Sequence, residues 1–269
     1  MSSPVPVLEA RPVLEARGVS KSYRSRRGSV QALNGVSLAV PAGATVGIVG
    51  ESGSGKSTLA RLLLALDQPT EGTVAYRGMQ VNGRRERELV EFRRRVQIVF
   101  QDPMSSLDPR MRVYDLLAEP LRALGVPGDQ PERVAALLAS VELPADAAKR
   151  YPHQFSGGQR QRIAIARALG PSPEVLVADE PVSALDVSVR AQILNLLASL
   201  VRDFNLTLVF ISHDMAVVRH LCRSVAVLYR GHLVETGPTE QIYQSPQHEY
   251  TRELLAAAPR VRTERVRAH

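Results

Sequence analysis

Apolar residues follow two rhythms along the chain. Unbroken apolar runs at residues 44–49, 96–100, 175–178 and 207–211 read as strands buried on both faces. A 3.6-residue rhythm predicts helices over 59–64 (ending near Asp67), 113–124, 131–141, 163–169, Val187–Asp203 and 249–258. Shorter strands are expected at 36–40, 73–76, Ser224–Tyr229 and 232–236, around turns such as Pro41-Ala42-Gly43 and Arg230-Gly231. Alternating strands and helices imply an α/β fold with a mainly parallel sheet. A hexapeptide occurs twice near the start, at residues 6–11 and 12–17. Only the second copy runs on in register into Gly18 and Val19, so it should be the first strand, with Tyr23 just beyond it. From Met104 to Pro152 the pattern is helical with no strong strand, which reads as an inserted helical subdomain.

The buried runs end in polar residues. The first leads into Gly50-Glu51-Ser52-Gly53-Ser54-Gly55-Lys56-Ser57, with Thr58 after it, and then into a helix. Strand, glycine-rich loop and helix form the setting of a phosphate-binding loop. Glycines let the backbone curl so that N–H groups converge on phosphate oxygens, and the helix start adds the positive end of its dipole. Lys56 would reach the phosphates, and the Ser57 hydroxyl would ligate Mg²⁺. The next run ends at Gln101-Asp102, and such strand ends are where ligands bind in α/β folds. The third ends at Asp179-Glu180, a pair suited to metal binding and water activation. Strand-end carboxylates are commonly structural, and the phosphate loop is what makes this pair informative. The fourth ends at Ser212-His213-Asp214, bringing a histidine to the same rim; a histidine in that place is more often structural. Ser156-Gly157-Gly158-Gln159 opens another helix and forms a second anion-binding N-terminus. Tyr23 could stack on a purine ring, and an ordinary half-buried tyrosine fits the same pattern.

Composition narrows the possibilities. Aromatic residues make up 4% and Trp is missing, so the core is aliphatic. Cys222 is the sole cysteine, which excludes an internal disulfide, a cysteine zinc site and a cysteine-held iron–sulfur cluster within this chain. It lies in an apolar stretch read as helical and suits a small core residue. The net charge of +7 permits anionic partners. Arginines at residues 84–95 alternate with glutamates, which favours a solvated helix face over a nucleic-acid patch. No apolar run approaches the roughly 18 residues of a membrane helix, and no signal pattern opens the chain. A cytosolic protein seated on a membrane-embedded partner is the expectation.

With Phe155-Ser156-Gly157-Gly158-Gln159 added, the motifs stand in the order found in ABC transporters. The chain resembles their nucleotide-binding subunit over residues 13–258, with Phe155 where a leucine is usual. Residues 99–110, around Gln101-Asp102-Pro103, and the tail from Ser245 to Leu255 resemble the peptide/nickel importer branch. Glu249 stands where that branch has a proline. Many relatives carry a tail cysteine cluster for an iron–sulfur centre, which this chain lacks.

The resemblance implies a P-loop NTPase core, an N-terminal antiparallel β subdomain and a helical subdomain inserted at about 104–160, with flexible tails at 1–12 and 259–269. It implies ATP and Mg²⁺ as ligands. Tyr23 would stack on adenine, and Gly50 to Thr58 would cradle the phosphates. Gln101 would sense metal and water. Asp179 would hold the metal, Glu180 would be the general base and His213 would touch the γ-phosphate. Ser156, Gly157, Gly158 and Gln159 would face the nucleotide of a second ATPase subunit, a non-identical sister, in a head-to-tail pair, with Asp186 at that interface. The helical insert and the loop from Gln101 would receive two membrane permeases, with a solute-binding protein upstream. No nucleic acid is expected, and the subunit should lie at the cytoplasmic face of the membrane. A soluble ABC-type ATPase acting on nucleic acid or ribosomes is the competing class.

Overall fold

The structure, a computed structural model, describes residues 12–25 and 28–257. The first hexapeptide copy, Arg26 and Arg27 of the basic loop, and the basic end with Arg260, Arg262, Arg265 and Arg267 lie outside the described residues. Strands β1 (Pro12–Ser25), β2 (Gly28–Pro41), β4 (Glu71–Tyr76) and β5 (Met79–Gln80) form an antiparallel sheet in the order β2-β1-β4-β5. Six more make a second sheet: β3 (Thr45–Val49), β6 (Val96–Val99), β7 (Val175–Asp179), β8 (Thr207–Ser212), β9 (Ser224–Tyr229) and β10 (His232–Pro238). Their order is β10-β9-β3-β8-β7-β6, parallel throughout except for β10.

The helices are α1 (Lys56–Leu63), α2 (Val90–Arg95), α3 (Pro103–Ser106), α4 (Val113–Ala123), α5 (Gln130–Ser140), α6 (Gly157–Leu169), α7 (Val187–Asp203), α8 (Met215–Leu221), α9 (Thr239–Gln244) and α10 (Glu249–Ala257). Helices α3 to α5 lie between β6 and α6 in the chain and pack together on α6.

The unbroken apolar runs are explained by two cores, one on each face of the six-stranded sheet. Val46, Ile48, Val175, Val177, Val209 and Ile211 pack into the core shared with α1 and the antiparallel sheet. Their neighbours Val49, Leu176, Ala178, Leu208 and Phe210 join the core under α4 to α7. Side chains alternate across a strand, so a strand covered on both sides must be apolar at every position. Each fully buried aliphatic side chain contributes about 1.5–3 kcal/mol.

Several elements differ from the sequence reading. Tyr23 lies inside β1, opposite Val30, because irregularities in the β1–β2 register let the strand run on past Gly18. Helix α1 stops at Leu63, short of Asp67, and Ala65 turns left-handed at φ 49°. Residues 84–95 form a 3₁₀ turn at Glu86–Glu88 and then α2, not one solvated helix: Phe92 is buried, and Arg93 donates to the Leu64 and Ala65 carbonyls. That basic side chain satisfies carbonyls at the end of α1, which pattern counting cannot reveal. Cys222 sits just past the end of α8, buried, and burial pushes its thiol up to about 12. Helix α8 is the apolar helical stretch leading to Cys222; Asp214 starts it by accepting from the Ala216 N–H.

Candidate functional site

The carboxyl ends of β3, β6, β7 and β8 open on one rim, where parallel α/β sheets bind ligands. The loop from Gly50 to Gly55 leaves β3 and enters α1. A Cβ at Gly50 would lie 2.2 Å from the Leu228 carbonyl, and one at Gly55 would lie 2.5 Å from that of Ala32. Both take positive φ, 156° and 107°, so only glycine fits. Gly55 caps α1 without a side chain, leaving the first amides of the helix with no side-chain cap.

Lys56 is the buried cation of the site. Its ammonium donates to the carbonyls of Gly50 (2.7 Å) and Glu51 (2.8 Å) and lies 4.0 Å from Glu180 Oε1. Burial lowers its pKa, against the pull of Glu180, Asp179 and Glu51. The Ser57 hydroxyl donates to Asp179 Oδ1 at 3.4 Å. Burial raises the Asp179 pKa, and nearby Glu180 adds to this, while Ser57 and Lys56 oppose it. A hydroxyl and a half-buried carboxyl side by side are the hard oxygen donors Mg²⁺ takes, and a cation there would relieve the burial of the carboxylate. Ser57 and Asp179 therefore fit Mg²⁺.

Adjacent residues of a strand face opposite ways, yet Asp179 and Glu180 reach one site. Glu180 makes this possible by turning left-handed at φ 45° just after β7, while its N–H donates to the Ile211 carbonyl at 3.0 Å. Such a conformation in a non-glycine residue is held by its surroundings and recurs at functional sites. Glu180 Oε2 lies 3.2 Å from His213 Nδ1 and accepts from Gln101 Nε2 at 3.5 Å. Gln101 also donates to the Ser183 hydroxyl at 3.3 Å, and that hydroxyl donates to the Glu180 carbonyl at 3.1 Å.

The structure thus brings together Lys56, Ser57, Asp179, Glu180, Gln101 and His213. It does not bring Tyr23 to them by any direct contact. The Tyr23 hydroxyl donates to Asp67 at 3.0 Å, Lys21 lies 5.1 Å from its ring centroid, and the residue is 40% exposed. Ser156 and Gln159 cap α6 reciprocally: Ser156 Oγ accepts from the Gln159 N–H, and Gln159 Oε1 accepts from the Ser156 N–H. Among the described residues, nothing hydrogen-bonds Ser156–Gln159 to the phosphate loop. Gly157 and Gly158 instead approach the segment around α7. A Cβ on Gly158 would sit 2.4 Å from Val189 Cγ1. Gly158→Ala is therefore expected to destabilise the fold by about 1–3 kcal/mol through overpacking, read as a fall in Tm. An unchanged Tm would mean that α6 and α7 separate without cost.

Three further supports come from outside the strand-end residues. Ser183 props Gln101 and Glu180. The Gly231 N–H donates to the Ser54 carbonyl at 2.9 Å, and the Tyr250 hydroxyl accepts from the Glu51 N–H at 2.8 Å. Sequence reasoning misses all three. Ser183 follows the carboxylate pair closely enough to be suspected. Gly231 and Tyr250 carry no local signal pointing to the phosphate loop.

The sequence profile of the family described as ABC transporter matches residues 33–183. The chain belongs to the ABC transporter family. Like other members it is an ATP-binding, ATP-hydrolysing cassette. It is 48% identical to the di/tripeptide transport ATP-binding protein DppF of Pseudomonas aeruginosa, over 93% of this chain and 80% of that protein. The dipeptide transport ATP-binding protein DppF of Haemophilus influenzae is also 48% identical, over 95% of this chain and 80% of that protein. Among solved structures, the dimeric post-hydrolysis state of the cassette MJ0796 bound to ADP and Pi superposes with a TM-score of 0.76. It is 32% identical and covers 84% of this chain and 98% of that one. Among the described residues, no helix of this cassette is long and apolar enough to cross a membrane.

Proposed function

We propose that this cassette is the ATPase subunit of an importer for small peptides, acting from the cytoplasmic face of the membrane. The observation that carries the reading is the meeting of Lys56, Ser57, Asp179, Glu180, Gln101 and His213 at one sheet rim. The peptide names of the DppF relatives direct the choice of cargo, with nickel the other cargo of the branch.

Phosphoryl transfer asks for positioning and charge neutralisation more than covalent chemistry. Amides of the loop and the Lys56 ammonium bind the phosphates. Ser57 and Asp179 would hold Mg²⁺, which neutralises phosphate charge when bound. The Glu180 carboxylate accepts a proton from the attacking water. The water oxygen bonds to the γ-phosphorus, the bond to the bridging oxygen breaks, and ADP and phosphate leave. Gln101 and His213, both touching Glu180, orient that carboxylate and the water. Tyr23, on β1, would stack on the adenine.

Among the described residues, nothing hydrogen-bonds Ser156–Gln159 to this site, and in our reading it faces the nucleotide of a second cassette in a head-to-tail pair. Such a pair closes on ATP and opens after hydrolysis, a two-state element able to drive attached permeases. A non-identical sister is the proposed partner, with two permeases docking on the helical segment at 104–160 and the loop from Gln101, and a solute-binding protein delivering cargo.

Uptake of labelled dipeptide and of labelled nickel, by cells with and without the native chain, tests the reading. Loss of dipeptide uptake alone is expected on deletion. Loss of nickel uptake alone would reassign the cargo. Recovery of the chain off membranes, bound to RNA, DNA or ribosomes, would sink the importer reading.

A further inference from the structure

Helix α10 lies far along the chain from the phosphate loop, yet it places Tyr250 directly against it. The Tyr250 hydroxyl accepts from the Glu51 N–H at 2.8 Å, across 199 residues of sequence. The carbonyl of Glu51 accepts from the Lys56 ammonium at 2.8 Å. One residue of the loop is therefore clamped at its N–H by α10 and at its carbonyl by the phosphate-binding lysine.

The clamp is built to be rigid. Tyr250 is 4% exposed, and its ring stacks on Tyr229 with centroids 4.0 Å apart. Tyr229 ends β9, and two residues on, Gly231 donates to the Ser54 carbonyl. The same aromatic pair thus backs the loop at Glu51 and, through the β9–β10 turn, at Ser54.

The start of α10 is pinned as well. Both Glu235 oxygens accept backbone N–H groups, from Gln247 at 2.8 Å and His248 at 3.0 Å. His248 Nδ1 accepts the Tyr250 N–H at 3.2 Å. Glu249, where the resembling branch has proline, occupies the first helical position. An acid and a proline both suit that place, the acid through the helix dipole and the proline through its fixed φ.

We propose that Tyr250 is a positioning residue for ATP binding: it holds the Glu51 peptide, and with it the Lys56 cage, in the shape that receives phosphate. The proposal rests on the reading that the Gly50–Thr58 loop binds ATP. Tyr250 touches the loop from behind and is not a catalytic residue. Without its hydroxyl, the Glu51 N–H loses its acceptor, and nucleotide must order a loop that is now preset. A preset loop serves ground state and transition state alike, so its loss falls on KM rather than kcat.

The test is Tyr250→Phe in the full chain, which keeps the ring and its stack on Tyr229. ATP affinity is expected to weaken about 5- to 30-fold, as for one part-buried donor that loses its acceptor, with kcat changed less than about twofold. Hydrogen exchange at the phosphate-loop amides should speed up by a similar factor. Tyr243→Phe is the matched control. It removes a hydroxyl that donates to the Met215 carbonyl, away from the loop, and should lower Tm while leaving ATP affinity unchanged. If Tyr250→Phe lowers Tm as the control does and binds ATP like the native chain, the positioning role is overturned. If the native chain itself fails to bind ATP, the reading of the loop falls first, and Tyr250 with it.

Discussion

Glu180→Gln is expected to bind ATP much as the native chain does and to turn it over about 10²- to 10⁴-fold more slowly, the usual contribution of a positioned general base. The substitution removes one charge and little volume. Gln101, His213 and the left-handed backbone at residue 180 keep their surroundings, so binding should survive. What disappears is the group able to take a proton from water, since an amide cannot. With binding intact and hydrolysis stalled, the closed head-to-tail pair should accumulate. Light scattering with ATP and the sister cassette present would show the mass of the pair, and steady-state phosphate release gives the rate. A rate within a few-fold of native would remove Glu180 from the general-base role.

Lys56→Ala is expected to weaken ATP binding at least about tenfold, because a hydrogen bond to a charged group contributes about 1.5–3 kcal/mol. The lysine side chain is 5% exposed and its ammonium is already wrapped by the Gly50 and Glu51 carbonyls, so it meets phosphate without first being stripped of bulk water. Its loss also leaves Glu180 and Asp179 without the cation that offsets their charge. Lys56→Arg should not restore binding, because a planar guanidinium does not fit a cage shaped around an ammonium. Titration calorimetry with a non-hydrolysed ATP analogue would measure both variants. Native affinity in Lys56→Ala would place the lysine outside the site.

Both experiments probe groups that the pattern of apolar and polar residues already marks. The buried runs, the loop at Gly50–Ser57 and the polar ends at Gln101, Asp179-Glu180 and His213 are local features. They are legible because strand burial, helix periodicity and glycine conformation each act over a few residues. Helix α7 has the expected bounds, Val187 and Asp203, for the same reason. Local pattern fails where a partner from elsewhere sets the outcome. Arg93 reads as solvated and instead caps α1, and Tyr23 reads as a residue beyond the first strand and instead pairs with Val30 inside it. Tyr250 reads as part of a tail helix and instead holds the phosphate loop.

The amino-acid sequence was sufficient for the kind of fold, the phosphate loop and the identity of the polar groups, because these follow from short-range sterics and burial. Only the folded chain decided that β3 lies between β8 and β9, so that its loop is backed by the β9–β10 turn and by α10. It alone decided that Glu180 turns left-handed to share a site with Asp179. Those outcomes depend on strand pairing and packing between residues far apart in the chain. The free energy of such contacts belongs to the pair and is written in neither segment alone.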